Sequence, residues 1–220
     1  MTTESTLAVV PARGGSRGLI RKNLRDLDGK PLLAHVLHTL AQLENVRTVV
    51  STEDAEIAAW CRLRGYDVID RPSELSGDDA PVGLPVGDAV RQLRWDGPVL
   101  VVQPTCPLVS VDTLRRLIAV ALETGSAVGV CEGTHQVRGP GGWVTPALNR
   151  QVLAAERWST GVGIRAVRRW PCESISDTPV VVPDAEALDI DTLADLEAAR
   201  RALGRRHIHW RVATGPGTGH

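Results

Sequence analysis

Short apolar segments alternate with longer amphipathic segments along most of the chain. The apolar runs predict buried strands at Leu7–Val10, Val46–Ser51, Tyr66–Asp70, Val99–Val102, Ser126–Val130, Val162–Val167 and Val180–Val182. Apolar residues at helical spacing predict helices at Pro31–Leu43, Glu53–Arg64, Val86–Trp95, Val111–Glu123 and Thr192–Leu203. Because strands alternate with helices, we expect an α/β fold whose mostly parallel central sheet carries helices on both faces.

Two segments depart from this alternation. Glu132–Trp158 contains clustered glycines and a proline-rich stretch, which predicts a small excursion inserted into the sheet domain. Residues 204–220 are rich in Arg, His and Gly and predict a mobile tail. We expect a single domain over residues 1–203.

Composition narrows the possible partners. The net charge of −1 provides no overall field that would attract nucleic acid or an anionic membrane. No apolar run approaches the length of a bilayer span and no signal sequence precedes Leu7, so we expect a cytoplasmic protein. The four cysteines are widely spaced, which favours buried thiols over disulfides or zinc. We assign no nucleophilic role to Cys106.

A glycine-rich loop follows the first predicted strand, in the stretch AVVPARGGSRGLIRKNL from Ala8 to Leu24. Its glycines allow backbone N–H groups to approach a ligand, and arginine and lysine side chains bind phosphate oxygens. The glycines are Gly14, Gly15 and Gly18, and the cations are Arg13, Arg17, Arg21 and Lys22. The spacing matches neither the ATPase P-loop nor the dinucleotide fingerprint. The loop therefore predicts a polyphosphate site, the alternative being a turn with solvated arginines.

Two further stretches carry candidate chemistry. Asp189 and Asp191 flank Ile190 before the last predicted helix, where both carboxylates could hold Mg²⁺ together with substrate phosphates. Alternatively, Asp191 caps that helix and Asp189 interacts with its dipole. Gln103 follows the most apolar strand, at the edge where α/β proteins bind ligands, although the adjacent prolines could simply end the strand.

Taken together, five strings resemble the acylneuraminate cytidylyltransferase family, in the order in which that family has them. They are VVPARGGSRGLIRKNLRDLDGKPLLAH, VVSTEDAEIAAWCRLRGYDVIDRPSELSGDDA, VVQPTCPL, NRQ and LDIDTLADLEAA. The resemblance implies a Rossmann-like nucleotidyltransferase fold and transfer of CMP from CTP to a small anionic acceptor, with release of pyrophosphate. It also implies Mg²⁺ as cofactor. A homodimer is a further expectation, with Glu132–Trp158 as a short dimerisation lobe.

The same resemblance implies roles for individual residues. The nucleotide-binding residues would be Ala12, Arg13, Gly14, Gly15, Ser16, Arg17, Lys22, Asn23 and Arg71, with Arg71 near the cytidine. Catalytic roles fall on Arg13, Lys22, Asp189 and Asp191, and the last two would also hold the metal. Gln103 would lie near the acceptor.

The acceptor half of the chain departs from the sialic acid enzymes of this family. Val82, Val109 and Thr160 stand where those enzymes often have serine, arginine and asparagine. Arg165 could restore a contact to an acceptor anion. We therefore predict an acceptor other than ordinary sialic acid, either another nonulosonic acid or a small phosphonate.

Two other function classes remain open at this point. A D-x-D glycosyltransferase would share a nucleotide-binding lobe and a divalent metal, and a non-catalytic module would bind nucleotide without turnover. Release of pyrophosphate from CTP would distinguish a cytidylyltransferase from both.

Overall fold

The computed structural model describes residues 5–16, 18–77, 81–132, 138–139, 142–143, 158–159, 162–171 and 177–213. The strands are β1 (Thr6–Pro11), β2 (Asp26–Leu27), β3 (Lys30–Pro31), β4 (Val46–Thr52), β5 (Asp67–Asp70), β6 (Val99–Val102), β7 (Ser126–Glu132), β8 (Arg138–Gly139), β9 (Gly142–Trp143), β10 (Trp158–Ser159), β11 (Ile164–Val167) and β12 (Thr178–Val181). The helices are α1 (Leu32–Leu40), α2 (Ala55–Arg62), α3 (Gly83–Leu93), α4 (Val111–Thr124) and α5 (Leu193–Ala213). Short 3-10 helices lie at Lys22–Leu24 and Ser73–Ser76.

An eight-stranded sheet forms the centre of the fold. Strands β5, β4, β1 and β6 lie side by side in parallel. Strand β11 runs antiparallel between β6 and β7, and β12 pairs in parallel with the other edge of β7. The mostly parallel sheet is confirmed. The antiparallel β11 was not anticipated, because a short apolar run carries no signal of its direction.

Both faces of the sheet are covered, as predicted. In β1, Ala8 and Val10 belong to one buried cluster, which also contains apolar residues of α1, α2 and α4. Leu7 and Val9 belong to a second cluster with α3. A strand buried on both faces is continuously apolar, which explains why the run at Leu7–Val10 was visible in the sequence.

Local side-chain chemistry fixes where the helices begin. The carboxylate of Asp54 accepts hydrogen bonds from the backbone N–H groups of Glu56 and Ile57 and so caps α2. Ser110 caps α4 in the same way. Before α5, Asp195 accepts from the N–H of Thr192, and the Thr192 hydroxyl accepts from the N–H of Asp195, a reciprocal capping box.

The predicted bounds of two helices, α5 and α3, were wrong. Helix α5 continues through Gly204 to Ala213, so the first part of the predicted tail is helical. A glycine inside a helix costs only about 1 kcal/mol relative to alanine and does not by itself end the helix. Helix α3 begins at Gly83, three residues before the predicted Val86.

A small hairpin, β2–β3, was missed although its turn signal was present. Asp28 and Gly29 both have positive φ, 54° and 77°, as a two-residue hairpin turn requires. Leu27 of this hairpin packs with Leu196 and Ala199 of α5, which ties the segment after the glycine-rich loop to the last helix.

Most of the predicted excursion Glu132–Trp158 lies outside the described residues, and so do residues 214–220 of the tail. The described part of the excursion includes the paired strands β8 and β9. Within the described residues, no helix has the length and apolar character needed to cross a membrane.

Candidate functional site

Polar residues collect where the parallel strands end. Arg13 follows β1, Glu53 follows β4, Arg71 follows β5 and Gln103 follows β6. Since the carboxyl ends of parallel strands meet at one edge of a sheet, these residues surround a common space. That edge is where doubly wound α/β proteins bind their ligands.

A cavity of about 290 Å³ opens at this edge. It brings together eight of the predicted site residues, namely Arg13, Ser16, Lys22, Asn23, Arg71, Gln103, Asp189 and Asp191. Arg17, the remaining predicted cation of the nucleotide site, lies outside the described residues. Ala12 is fully buried behind the loop, and Gly14 and Gly15 belong to its backbone.

Close packing explains two of the loop glycines. A Cβ on Gly14 would lie 2.2 Å from Oδ2 of Asp54, and a Cβ on Gly18 would lie 2.6 Å from the carbonyl oxygen of Asp191. The loop therefore lies directly against the start of α2 on one side and the acidic segment on the other. The Asn23 amide donates to the carbonyl of Arg13 at 2.8 Å and holds the loop from within.

The cations of the loop divide into different roles. Lys22 Nζ lies 2.7 Å from Oδ1 of Asp191 and lines the cavity beside Arg13. Arg21 instead has left-handed backbone geometry, φ 56°, and its guanidinium binds Asp54 and Glu56 at the start of α2. Arg21 thus braces the loop, and its expected place around the phosphates was wrong.

The acidic pair is held by the loop that follows β6. The N–H of Ile190 donates to the carbonyl of Thr105 at 2.9 Å, which fixes Asp189 and Asp191 on either side. The capping box at Thr192 shows that Asp191 is not the cap of α5. Burial raises the pKa of Asp189 to about 6. The hydrogen bond with the Thr105 hydroxyl lowers this pKa, and the charge of the nearby Asp191 carboxylate raises it.

The carboxylates of Asp189 and Asp191 fit a divalent cation whose remaining ligands come from the substrate. Among the described residues, Oδ1 of Asp189 is buried without a hydrogen-bond partner, so a cation would satisfy it. No group of three or more His, Cys, Asp or Glu side chains that could hold a metal occurs in the described part of the chain. Two carboxylates together with phosphate oxygens are a common Mg²⁺ environment.

The wall around Arg71 contains residues that the sequence analysis did not single out. Arg71 is buried, and its guanidinium donates to Oε2 of Glu53 through Nη2 at 2.7 Å and through Nε at 3.1 Å. Ser76 also donates to that oxygen, at 2.9 Å. Glu53 followed a predicted strand directly, and that position was the available signal.

A second cavity of about 200 Å³ adjoins the first and shares Val82 and Gln103 with it. Its other walls are mainly apolar, from Val86, Val101, Val128, Val162, Ile164 and Trp170. Arg165 lines it from β11, where its guanidinium also pairs with Asp177 at 2.9 Å. The indole of Trp170 lies 3.1 Å from where a Cβ of Gly87 would be.

Residues 7–156 of the chain match a family model described as cytidylyltransferase. The chain belongs to this cytidylyltransferase family. The matched region contains the glycine-rich loop, Arg71 and Gln103, and it ends before the acidic pair.

Two curated relatives of the chain have names that refer to sugar acids. The 3-deoxy-manno-octulosonate cytidylyltransferase of Brucella ovis is 34% identical over 131 residues, which are 58% of this chain and 50% of the relative. The CMP-N,N'-diacetyllegionaminic acid synthase of Legionella pneumophila is 35% identical over 128 residues, 56% of this chain and 55% of the relative. The chain thus spans about half the length of the curated relatives it matches.

Solved structures show the same fold over nearly the whole chain. A CMP:2-keto-3-deoxy-manno-octonic acid synthetase complexed with CTP aligns with a TM-score of 0.68 at 19% identity, covering 92% of this chain and 99% of that one. The 4-diphosphocytidyl-2C-methyl-D-erythritol synthase of Anaerococcus prevotii aligns with a TM-score of 0.63 at 13% identity, covering 92% and 97%. The Rossmann-like nucleotidyltransferase fold is confirmed.

The three positions at which the acceptor half was expected to differ from sialic acid enzymes lie in different places. Val82 lines both cavities. Val109 is buried in the large apolar cluster under the sheet, so it packs in the core. Thr160 lies outside the described residues. Burial raises the pKa of Cys106 to about 12, consistent with a packed thiol and not a nucleophile.

Proposed function

We propose that this protein transfers CMP from CTP to a hydroxyl group of a small anionic acceptor and releases pyrophosphate. The observation that carries the proposal is the single cavity that holds Arg13, Lys22 and the Asp189–Asp191 pair at the carboxyl edge of the sheet. A D-x-D glycosyltransferase also has two acids, but the family match favours the cytidylyltransferase.

The residues of the cavity suit nucleotidyl transfer, in which an acceptor oxygen attacks the α-phosphorus and pyrophosphate leaves. Arg13 and Lys22 neutralise phosphate charge, and Ser16 and Asn23 lie on the same wall to orient the triphosphate. Asp189 and Asp191 would hold Mg²⁺, which supplies charge neutralisation to the phosphates when bound. Positioning and charge therefore account for the chemistry that these side chains perform.

The second cavity is the proposed acceptor site. Gln103 borders both cavities, and a Cβ on Gly163 would lie 2.8 Å from its Cδ, so the amide is held at the boundary by close packing. Arg165 already pairs with Asp177, so an acceptor carboxylate or phosphonate that binds Arg165 must share or exchange that ion pair. The apolar walls favour a substituted nonulosonic acid or a small phosphonate over N-acetylneuraminic acid.

The test is pyrophosphate release from CTP and Mg²⁺ with a panel of acceptors. The panel contains 3-deoxy-manno-octulosonate, N,N'-diacetyllegionaminate, N-acetylneuraminate and 2-hydroxyethylphosphonate, and ATP and UTP replace CTP as controls. We expect CTP-dependent turnover with one of the acceptors other than N-acetylneuraminate. Absence of pyrophosphate release with every acceptor would refute the transferase, and preference for N-acetylneuraminate would refute the acceptor assignment.

The proposal includes a cytoplasmic homodimer. Its support is the family resemblance, in which Glu132–Trp158 stands at the position of a short dimerisation lobe. Sedimentation should give twice the monomer mass of 23.6 kDa, and a monomer at high concentration would refute it.

A further inference from the structure

Glu53 occupies a junction between three parts of the nucleotide cavity. Its carboxylate accepts from the N–H of Gly14 at 2.7 Å through Oε1. Through Oε2 it accepts from Nη2 and Nε of Arg71 and from the Ser76 hydroxyl. One carboxylate therefore joins the glycine-rich loop, the segment after β5 and the 3-10 helix at Ser73–Ser76.

The contacts of Glu53 keep it charged. Burial alone would raise the pKa of this carboxyl, but the hydrogen bonds from Gly14, Arg71 and Ser76 lower it below its ordinary value. Its side chain is 18% exposed, and that of Arg71 is 3% exposed. A guanidinium this deeply buried requires an anion beside it, because an unpaired buried charge is strongly unfavourable.

The arrangement decides which donors Arg71 can offer. A guanidinium carries five N–H donors, and Glu53 holds the edge formed by Nε and Nη2, where Nε also lies 2.8 Å from Ser76. Within the described part of the chain, no hydrogen bond engages Nη1, so the Nη1 edge can donate to a ligand in the cavity that Arg71 lines. The N–H groups of that edge can only donate hydrogen bonds, so the edge suits two adjacent acceptors such as O2 and N3 of cytosine. Uracil presents an N–H at N3 and would place a donor against a donor.

We infer that Glu53 is a positioning residue that sets the base preference of this enzyme by fixing the donor edge of Arg71. The inference rests on the proposed function. Glu53 lies behind Arg71 and Ser76, both of which line the cavity, and it acts through them. Its bond to Gly14 joins the wall at Arg71 to the glycine-rich loop.

The experiment compares Glu53→Gln and Glu53→Asp with wild type. Glu74→Gln is the matched control, because Glu74 is an exposed acid in the 3-10 helix that contains Ser76. Binding of Mg·CTP and Mg·UTP is measured by calorimetry without acceptor, thermal melting monitors folding, and pyrophosphate release gives kcat and KM with the best acceptor. The amide in Glu53→Gln keeps the shape but loses the charge, whereas Glu53→Asp keeps the charge on a shorter arm.

In Glu53→Gln we expect the Kd for CTP to rise about tenfold or more, since hydrogen bonds to charged groups are the stronger ones. The affinity ratio of CTP to UTP should fall by a similar factor, while kcat changes little. Glu53→Asp should recover part of the ratio, and Glu74→Gln should match wild type. Glu53→Asp also provides the comparison if Glu53→Gln does not fold.

Two outcomes would overturn the inference. If the variants lose CTP and UTP affinity in equal proportion, Glu53 supports the cavity without selecting the base. If the variants bind both nucleotides as wild type does, Glu53 neither supports the cavity nor selects the base. In both cases wild type still releases pyrophosphate from CTP, and the proposed function stands. Wild type that binds neither nucleotide would overturn both proposals together.

Discussion

Replacing Lys22 by alanine should weaken nucleotide binding while leaving the fold almost unchanged. The lysine side chain is 13% exposed and its ammonium pairs with Asp191, whose side chain is 68% exposed. An ion pair with one partner this open to solvent contributes at most about 1 kcal/mol to stability. The proposed contact between Lys22 and a phosphate would be a charged hydrogen bond in the cavity, worth about 1.5 to 3 kcal/mol.

These magnitudes predict a selective effect. A loss of that size corresponds to a rise of about 10- to 150-fold in the Kd for Mg·CTP. Removing Lys22 also leaves Asp189 and Asp191 without the cation that faces them, which adds repulsion toward the triphosphate. Lys22→Arg should bind with intermediate affinity, because a planar guanidinium does not reproduce the point charge of an ammonium.

Lys30→Ala is the matched control, since Lys30 is the only other lysine in the chain and is exposed. Calorimetric titration with Mg·CTP measures the affinity, and thermal melting checks the fold. The reasoning fails if Lys22→Ala binds CTP as wild type does. It also fails if Lys22→Ala loses its cooperative melting transition, because the pair would then be structural.

The other predictions test the metal site, the loop packing and the start of α2. Asp191→Asn should lower kcat by orders of magnitude with little change in melting temperature, and EDTA should abolish wild-type turnover; full activity in EDTA would contradict the metal. Gly18→Ala should weaken Mg·CTP binding because its Cβ would press on the carbonyl of Asp191, whereas Gly204→Ala, in open space, should not. Asp54→Ala should destabilise the fold by about 1 to 2 kcal/mol at pH 7, through loss of a helix cap and an ion pair. The hydrogen bond from Arg21 lowers the pKa of Asp54 in the folded state. This contribution to stability is therefore present above the unfolded pKa and is lost as the pH falls through the folded pKa, so the wild-type and variant melting temperatures should converge in acid.

The parallel part of the fold could be predicted from the sequence, because its buried strands appear there as continuous apolar runs. Strands such as β1 are apolar at every position, since both of their faces pack against helices. No such pattern indicates the direction of β11, because that direction depends on the pairing of β11 with β6 and β7. The end of α5 was misjudged because the Arg, His and Gly content of residues 204–220 was taken to indicate a mobile tail, although a single Gly204 does not by itself end a helix.

The clustering of the candidate site residues could be predicted in part. Arg13 and Gln103 follow the ends of parallel strands, and topology brings those ends together. Arg71 and Asn23 were expected only from the family resemblance. What the sequence did not indicate was how the charges pair. Arg21 and Lys22 are neighbours, yet the left-handed backbone at Arg21 directs its side chain to Asp54 and Glu56 while Lys22 faces Asp191. That division depends on one dihedral angle and on acids far away in the chain.

The two cavities divide the proposed reaction between separate sets of residues. Cations and acids surround the larger one, whereas the smaller one is mainly apolar, and they meet at Val82 and Gln103. An acceptor oxygen that attacks the α-phosphorus has to be placed at this boundary, because the triphosphate-binding groups lie on one side of it. Substitution on the α3 side, where Trp170 packs against Gly87, can therefore change acceptor choice without touching a phosphate contact. In the proposed reaction, nucleotide and acceptor would therefore contact largely separate residues, with Gln103 shared between the two cavities.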